Sequence, residues 1–241
     1  MVTDPPYGVE YDPSWRDEHN TTPGPNKTFT AANRARGKVE NDDRVDWAEA
    51  YSQFPGSVAY VWHAGVFAGE VAVGLASAAF QIRAQIIWKK QHFVFGRGSY
   101  HWGHEPCWYA VRKGANANWH GDRKQSTVWE VQNLNPMGGN KDEQATGHGT
   151  QKPCELMRRP IANHTVTGDA VYDPFLGSGT TLIACEQTDR ICIGIDIDPK
   201  YVDVIVRRWQ DFTGKAATDE NGETFESIER ERIGQTAEVA A

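Results

Sequence analysis

The stretch VYDPFLGSGTTLIACEQTDRICIGIDID, residues 171–198, reads as a strand, a tight glycine turn, a helix and a second strand ending in acid. Strand residues 170–172 lead into the turn, a helix runs from about Gly179 to Thr188, and a strand follows from Ile191 to Ile195. Gly177 and Gly179 allow the backbone to approach a ligand closely, and the helix behind them offers free N–H groups and the positive end of its dipole. Asp196 lies 19 residues after Gly177, at the strand end where a carboxylate can accept both hydroxyls of a ribose. No Lys follows the second glycine, which argues against a nucleoside triphosphate, and Leu182 stands where a dinucleotide fingerprint has its third glycine, which argues against NAD. A nucleoside cofactor carrying an anionic group is the ligand that remains. Alone, the turn also fits an ordinary connection from strand to helix.

Working outward, a helix is expected over 199–212 and another over 154–164. Upstream, 44–54 reads as a short helix, 57–63 as a buried strand, 65–80 as an apolar helix, and 81–88 and 106–112 as an antiparallel strand pair at one end of a sheet. Strands alternating with helices give an α/β fold, a doubly wound and mostly parallel sheet. Residues 8–43 read as a long loop, 113–149 as polar loop with one short strand candidate at 127–131, and 216–241 as an acidic, flexible tail with some helix. The domain reading is one unit over 1–215 followed by that tail.

The chain has 241 residues, 39% of them hydrophobic and 24% charged, with nine Trp, eight Tyr and nine Phe, which excludes wholesale disorder. No apolar run approaches the roughly 18 to 20 residues of a membrane span, and MVTDPPYG has no signal-peptide pattern. Cys107, Cys154, Cys185 and Cys192 form no CxxC pair and read as reduced thiols of a cytoplasmic protein. The formal charge of −7 is unevenly spread: residues 81–124 hold eight basic side chains against two acidic. Lys89, Lys90, Arg97, Arg112, Lys113, Arg123 and Lys124 are interleaved there with Trp88, Phe93, Phe95, Tyr100, Trp102, Trp108, Tyr109 and Trp119. This mixture suits phosphate contact and base stacking on DNA, and equally a solvated face over an aromatic core.

At the N-terminus, Asp4-Pro5-Pro6-Tyr7 ends a strand, and the two prolines hold the chain extended. An exocyclic amine on a nucleobase is a poor nucleophile because its lone pair is delocalised into the ring. A carboxylate at Asp4 and the Pro5 carbonyl, accepting its two hydrogens, would aim that lone pair at an incoming methyl, and Tyr7 could stack on the base. Alone, such a turn is an ordinary surface corner.

Together, DPPY and DPFLGSGTT resemble the S-adenosylmethionine-dependent amino-methyltransferases of DNA, and their order resembles the permuted β group of bacterial and phage enzymes. IRAQIIWK (82–89), GHEP (103–106), TVW (127–129) and GTQKPCEL (149–156) look like that family's intermediate motifs, so the resemblance runs from Thr3 to about Phe212. It implies a Rossmann-like methyltransferase fold, S-adenosyl-L-methionine as cofactor and DNA as partner. It implies further that Asp4, Pro5, Pro6 and Tyr7 hold the target amine and its base, adenine N6 more than cytosine N4. Asp173, Phe175, Gly177, Ser178, Gly179, Thr180 and Thr181 would line the cofactor, Asp196 would take the ribose, and Thr150 and Lys152 would close the pocket. Residues 113–147 would carry target recognition, and the loop after Tyr7 would clamp the duplex.

One departure stands out, since only Met1 and Val2 precede Thr3 where relatives have a further strand and helix. The expectation is a sheet short of an edge strand, in a truncated domain or one completed by a partner such as a second copy. His101, His104 and Cys107 invite a zinc reading, but zinc sites favour paired elements, so no metal is expected. Methylation of a protein glutamine or an RNA amine, and a degenerate DNA-binding remnant, are the competing functional readings.

Overall fold

The computed structural model describes residues 1–10, 40–94, 99–134 and 151–239. Among the described residues the strands are β1 (Val2–Thr3), β2 (Val58–Trp62), β3 (Phe80–Val94), β4 (Trp102–Arg112), β5 (Val128–Glu130), β6 (Ala170–Asp173) and β7 (Ile191–Gly194). The α-helices among them are α1 (Ala48–Ser52), α2 (Ala68–Ser77), α3 (Cys154–His164), α4 (Thr180–Glu186), α5 (Pro199–Thr213) and α6 (Phe225–Val239).

Five strands form one sheet in the order β1-β2-β4-β3-β5, and β6 pairs with β7 in a second. The Thr3 hydroxyl donates to the Asp173 carboxylate at 2.6 Å, so β6 sits beside β1 and the two sheets form one layer. Pairing is parallel for β1–β2, β3–β5 and β6–β7, while β4 runs antiparallel to both β2 and β3. The expected antiparallel pair is therefore present as β3–β4, with β5 added outside it.

Both faces of the sheet are covered, and β2 shows why its sequence is an unbroken apolar run. Tyr60 and Trp62 enter a core closed by Leu156, Met157 and Ile161 of α3 and by Ala184 and Cys185 of α4. Ala59 and Val61 enter the opposite core with Trp47, Tyr51 of α1 and Val71 and Leu75 of α2. A strand with alternate side chains buried on two sides has no polar face to display.

Helix α3 falls where the sequence placed it, and α5 gains one residue at its C-terminus. Asp198 caps α5 by accepting from the Lys200 amide at 2.9 Å, Pro199 occupies its first turn, and Gly214 at φ +70° ends it. Two expectations change. The apolar run 65–80 is a single 3-10 turn and then α2, ended by Ala79 at φ +63°, so that Phe80 starts β3 instead of finishing a helix. The β3–β4 pair is also much longer than 81–88 and 106–112. Strand pairing continues to Val94 and Trp102 past a register irregularity, and Phe93 and Trp102 are half exposed there, so no alternation marks it.

The acidic tail, read as flexible with some helix, carries α6. Arg207 of α5 pairs with Glu229 and lies over the Phe225 ring, and Gln210 donates to Glu226 at 2.7 Å. Most of the 8–43 loop lies outside the described residues, but its ends meet: the Asp42 carboxylate accepts from the Tyr7 and Gly8 amides at 3.1 and 3.0 Å.

Candidate active site

Because every strand but β4 is parallel to its neighbour or to the next one over, the segments leaving β1, β2, β5, β6 and β7 converge on one end of the sheet, beside Trp88 and Lys90 of β3. There they line a single cleft of about 1280 Å³. One half is formed by Asp4 to Tyr7, His63, Trp88, Lys90 and Glu105, and the other by Asp173 to Ser178 and Asp196 to Asp198. The two motifs read from the sequence thus share one cavity.

In the first half, four charged side chains interlock. The Tyr7 hydroxyl donates to Asp4 Oδ1 at 2.8 Å, and Lys152 Nζ lies 2.7 Å from Asp4 Oδ2, 3.0 Å from the Tyr7 oxygen and 2.9 Å from Glu105 Oε2. Lys90 pairs with the other oxygen of Glu105. Burial raises the Asp4 carboxyl above its ordinary value, and the Lys152 ammonium only partly opposes this. For Glu105, burial pushes in the same direction, but Lys152 and Lys90 together outweigh it and hold the carboxyl at about 2. Burial alone would lower Lys152, whereas Asp4 and Glu105 raise it, so the lysine stays charged. The cluster is two carboxylates against two ammonium groups, neutral overall, which is how buried charge is tolerated.

The second half is a turn held by its own side chains. Gly177 and Gly179 have φ of +55° and +80°, a region that disfavours a side chain. A Cβ at Gly177 would meet nothing nearer than 3.9 Å, whereas one at Gly179 would press on Ile205 at 3.3 Å. The Asp196 carboxylate accepts from the Gly177 amide at 2.8 Å and the Asp198 amide at 2.9 Å, so it braces the turn at the edge of the cleft. Asp173 is buried and accepts from Thr3, from the Thr181 hydroxyl at 2.6 Å and from the Phe175 amide at 3.1 Å. Burial pushes its carboxyl up to about 6 against those three donors. Asp173 and Thr181 therefore spend their polar atoms inside the turn. Ser178 and Thr180 are 3.1 Å apart through their hydroxyls, and Thr180 donates to the Lys152 carbonyl at 3.3 Å.

The other residues read from the sequence take these places. Lys152, expected to close the cofactor pocket, has its ammonium on Asp4 in the target half, while its carbonyl accepts from Thr180 of the other half. Thr150 and Arg97 lie outside the described residues. Arg112, expected on DNA, donates to the backbone carbonyls of Gly56 at 2.9 Å, Ala78 at 3.0 Å and Phe54, and lies over the Phe80 ring. The register Val58↔Val111 and Trp62↔Cys107 puts Arg112 and Lys113 at the end of the sheet remote from Asp4. Arg123 and Lys124 are at that end too, since this loop is tied to the C-terminus of α3. The His120 amide donates to the Asn163 carbonyl, and Gln125 bonds the Asn163 side chain. Among the described residues of that basic set, Lys90 lines the cleft and Lys89, next to it on β3, pairs with Glu130 at 2.7 Å. Residues 113–127 are thus remote from the cleft, and of the expected recognition segment only 133–134 line it among the described residues. His101 stacks on Phe93 and His104 meets the edge of Trp102. Strand alternation turns His104 and Cys107 to opposite faces, away from a shared metal.

Two residues of the site, Glu105 and Trp47, had no assignment from the sequence, and Lys90 had a different one. Glu105 was visible as a lone acid in GHEP, entering a strand whose later side chains are buried, which is a signal for a paired charge. Lys90 was read as a DNA contact, and nothing in the sequence marked its pairing with Glu105. Trp47 had no signal: its indole donates to the Pro6 carbonyl at 3.1 Å and its ring meets Phe175 edge-on at 4.8 Å, joining the two motifs.

The fold is a mostly parallel sheet with one reversed strand that carries an acid-proline turn and a glycine turn into one cleft. Residues 1–207 match the DNA methylase family of N6 and N4 enzymes, and the chain belongs to that family. It is 42% identical over 103 residues to the Type II methyltransferase M.Cfr9I of Citrobacter freundii, covering 43% of this chain and 31% of that protein. It is 27% identical over 185 residues to M.HinfI of Haemophilus influenzae, covering 70% and 52%. The chain spans about a quarter to a half of the length of the curated relatives it matches. In fold it is similar to the M1.HpyAVI-SAM complex, with a TM-score of 0.58, 24% identity and 86% of each chain covered. The cytosine-N4-specific PvuII DNA methyltransferase has the same TM-score at 16% identity, over 86% of this chain and 78% of that one.

Proposed function

We propose that this protein transfers a methyl group from S-adenosyl-L-methionine to the exocyclic N6 of adenine in DNA. The observation that carries this is the single cleft in which the Asp4–Tyr7 turn faces the glycine turn. The residues present fit the cofactor: Gly177 leaves open space where a side chain would project, Asp196 carries carboxylate oxygens at the strand end, and Phe175, Ile197 and Tyr201 give that half an apolar lining. The bound cofactor would supply an electrophilic methyl carbon.

The chain's own residues do the rest. Asp4 is the acceptor for the target amine. Its two oxygens are engaged by Tyr7 and Lys152, but each carboxylate oxygen can take a second hydrogen bond. With the Pro5 carbonyl as the other acceptor, the nitrogen lone pair is directed away from the ring. As nitrogen bonds to the methyl carbon, the carbon–sulfur bond breaks with its electron pair staying on sulfur. The nitrogen then loses one proton, and Asp4, whose carboxyl is raised by burial, is placed to take it. Tyr7 is neutral and hydrogen-bonded, as a stacking ring requires.

The likeness in fold to a cytosine-N4-specific enzyme favours N4 of cytosine as the second reading. The test is incubation of the protein, and of Asp4→Ala, with labelled S-adenosylmethionine and unmethylated DNA, followed by nucleoside analysis. We expect 6-methyladenine that is absent with the variant. A 4-methylcytosine peak would establish the second reading, and no labelled nucleoside at all would overturn both.

A further inference from the structure

We propose that Glu105, with Lys90 behind it, is a positioning residue for the reaction, fixing the Lys152 ammonium so that Asp4 stays open to the target amine. The proposal rests on the methyltransferase reading given above.

The geometry is a chain of contacts across the fold. Lys90 on β3 pairs with one oxygen of Glu105 on β4, and the other oxygen is 2.9 Å from Lys152 Nζ, which is 2.7 Å from Asp4. The Lys90, Glu105 and Lys152 side chains are 10%, 22% and 6% exposed, so water screens these contacts weakly. Lys152 is the only ammonium on Asp4 among the described residues, and it is shared. Glu105 holds the far side of that ammonium and so keeps it on Asp4 Oδ2 alone, and the second acceptor site of each Asp4 oxygen stays open to a substrate hydrogen. Without Glu105, the same ammonium would be free to swing between the two Asp4 oxygens and compete with the amine for both. An acidic residue that touches no reacting atom thereby sets how available the acceptor is.

Charge gives the contact a readout of its own. Asp4 is faced by Tyr7 from its own turn, Lys152 from the segment before α3, Glu105 and Cys107 from β4, and Asp173 from β6, with Lys90 of β3 one contact further away. Glu105 raises the Asp4 carboxyl and Lys152 lowers it. Neutralising Glu105 must therefore move Asp4 ionisation to lower pH, while shortening Glu105 to Asp keeps the charge but withdraws the contact.

The experiment compares wild type, Glu105→Gln and Glu105→Asp by methyl-transfer kinetics over pH, by calorimetric binding of S-adenosylmethionine, and by ¹³C-carboxyl titration of Asp4 without ligand. We expect cofactor affinity within about twofold of wild type and turnover lower by on the order of tenfold to a hundredfold in both variants, since small displacements of a reacting pair cost that much. The Asp4 titration and the acid limb of the rate profile should move down in Glu105→Gln and stay in place in Glu105→Asp. Turnover within twofold of wild type in either folded variant, or an Asp4 titration unmoved in Glu105→Gln, overturns the proposal. If Glu105→Gln does not fold, Glu105→Asp decides by its turnover. A wild-type protein that methylates no DNA base overturns the methyltransferase reading and this one with it, whereas active wild type with active variants overturns only this one.

Discussion

Asp173 links the cofactor turn to the strand that carries Asp4, and its titration gives the protein a pH signature. Burial raises its carboxyl from 3.8 to about 6, so between those values the folded protein binds a proton that the unfolded chain releases. Stability from this group is present below pH 3.8 and is lost as pH rises through 6, by about 3 kcal/mol for a shift of this size. Glu105 works in the opposite sense and in another window: its stabilisation is present above 4.5 and lost as pH falls towards 2. Between pH 4.5 and 6, Asp173 can therefore be isolated by comparing variants that share every other group. Asp173→Asn keeps one acceptor for Thr3 and the Phe175 amide, and thermal melts should show a flatter dependence of Tm on pH over that window than wild type. Parallel curves would mean that the carboxylate is not desolvated as its contacts imply. At this scale, Asp4, Tyr7, Gly177 and Asp196 were legible because each belongs to a short local pattern. Glu105 and Lys90 were not, because their meaning comes from Lys152, tens of residues further along the chain.

Elements were legible where a local rule decides them. Helix α5 has an Asp cap, a first-turn proline and a terminal glycine, and β2 is an apolar run with cover on both faces. Length was misread where tertiary contacts decide it, as at Ala79, whose left-handed backbone ends α2 without a glycine to announce it, and in the β3–β4 extension. Arg112 shows the same limit for a side chain. Its sequence context is basic and aromatic, yet its guanidinium ties the end of β4 to the carbonyls that close α1, α2 and the entry to β2. A guanidinium with three backbone acceptors is a joint between elements, and losing it leaves those carbonyls unpaired. Arg112→Met should lower unfolding stability by on the order of 2 to 4 kcal/mol in chemical denaturation, while Lys113→Met, one residue on and exposed, should change it by no more than about 0.5 kcal/mol. Methyl-transfer activity per folded molecule should be the same in both. A stable Arg112→Met protein with impaired DNA binding would restore the phosphate role that its contacts deny.

At the scale of the whole molecule, the parallel sheet sorts the basic residues by position. Strand direction sends Lys89 and Lys90 to the cleft and returns Lys113, Arg123 and Lys124 to the far end, so a window that is uniformly basic in sequence is divided across the fold. The basic side chains at the two ends cannot all face one duplex lying over the cleft. Each phosphate contact that a protein makes on duplex DNA contributes about 0.9 to the slope of log K against log salt. Had Lys113, Arg123 and Lys124 all been on the duplex, neutralising the three would reduce that slope by about 3 and weaken binding at every salt concentration. The positions in the fold predict another outcome: the triple variant Lys113→Gln, Arg123→Gln, Lys124→Gln keeps the wild-type slope within about 0.5, measured by fluorescence anisotropy with a labelled duplex from low to moderate salt. Lys89→Gln, at the cleft end and exposed beside Glu130, should lower the slope by up to about 0.9 if it meets a phosphate. A slope that falls by about 3 in the triple variant would place the duplex across the opposite end of the sheet from Asp4, and the cleft could then not be where DNA presents its base.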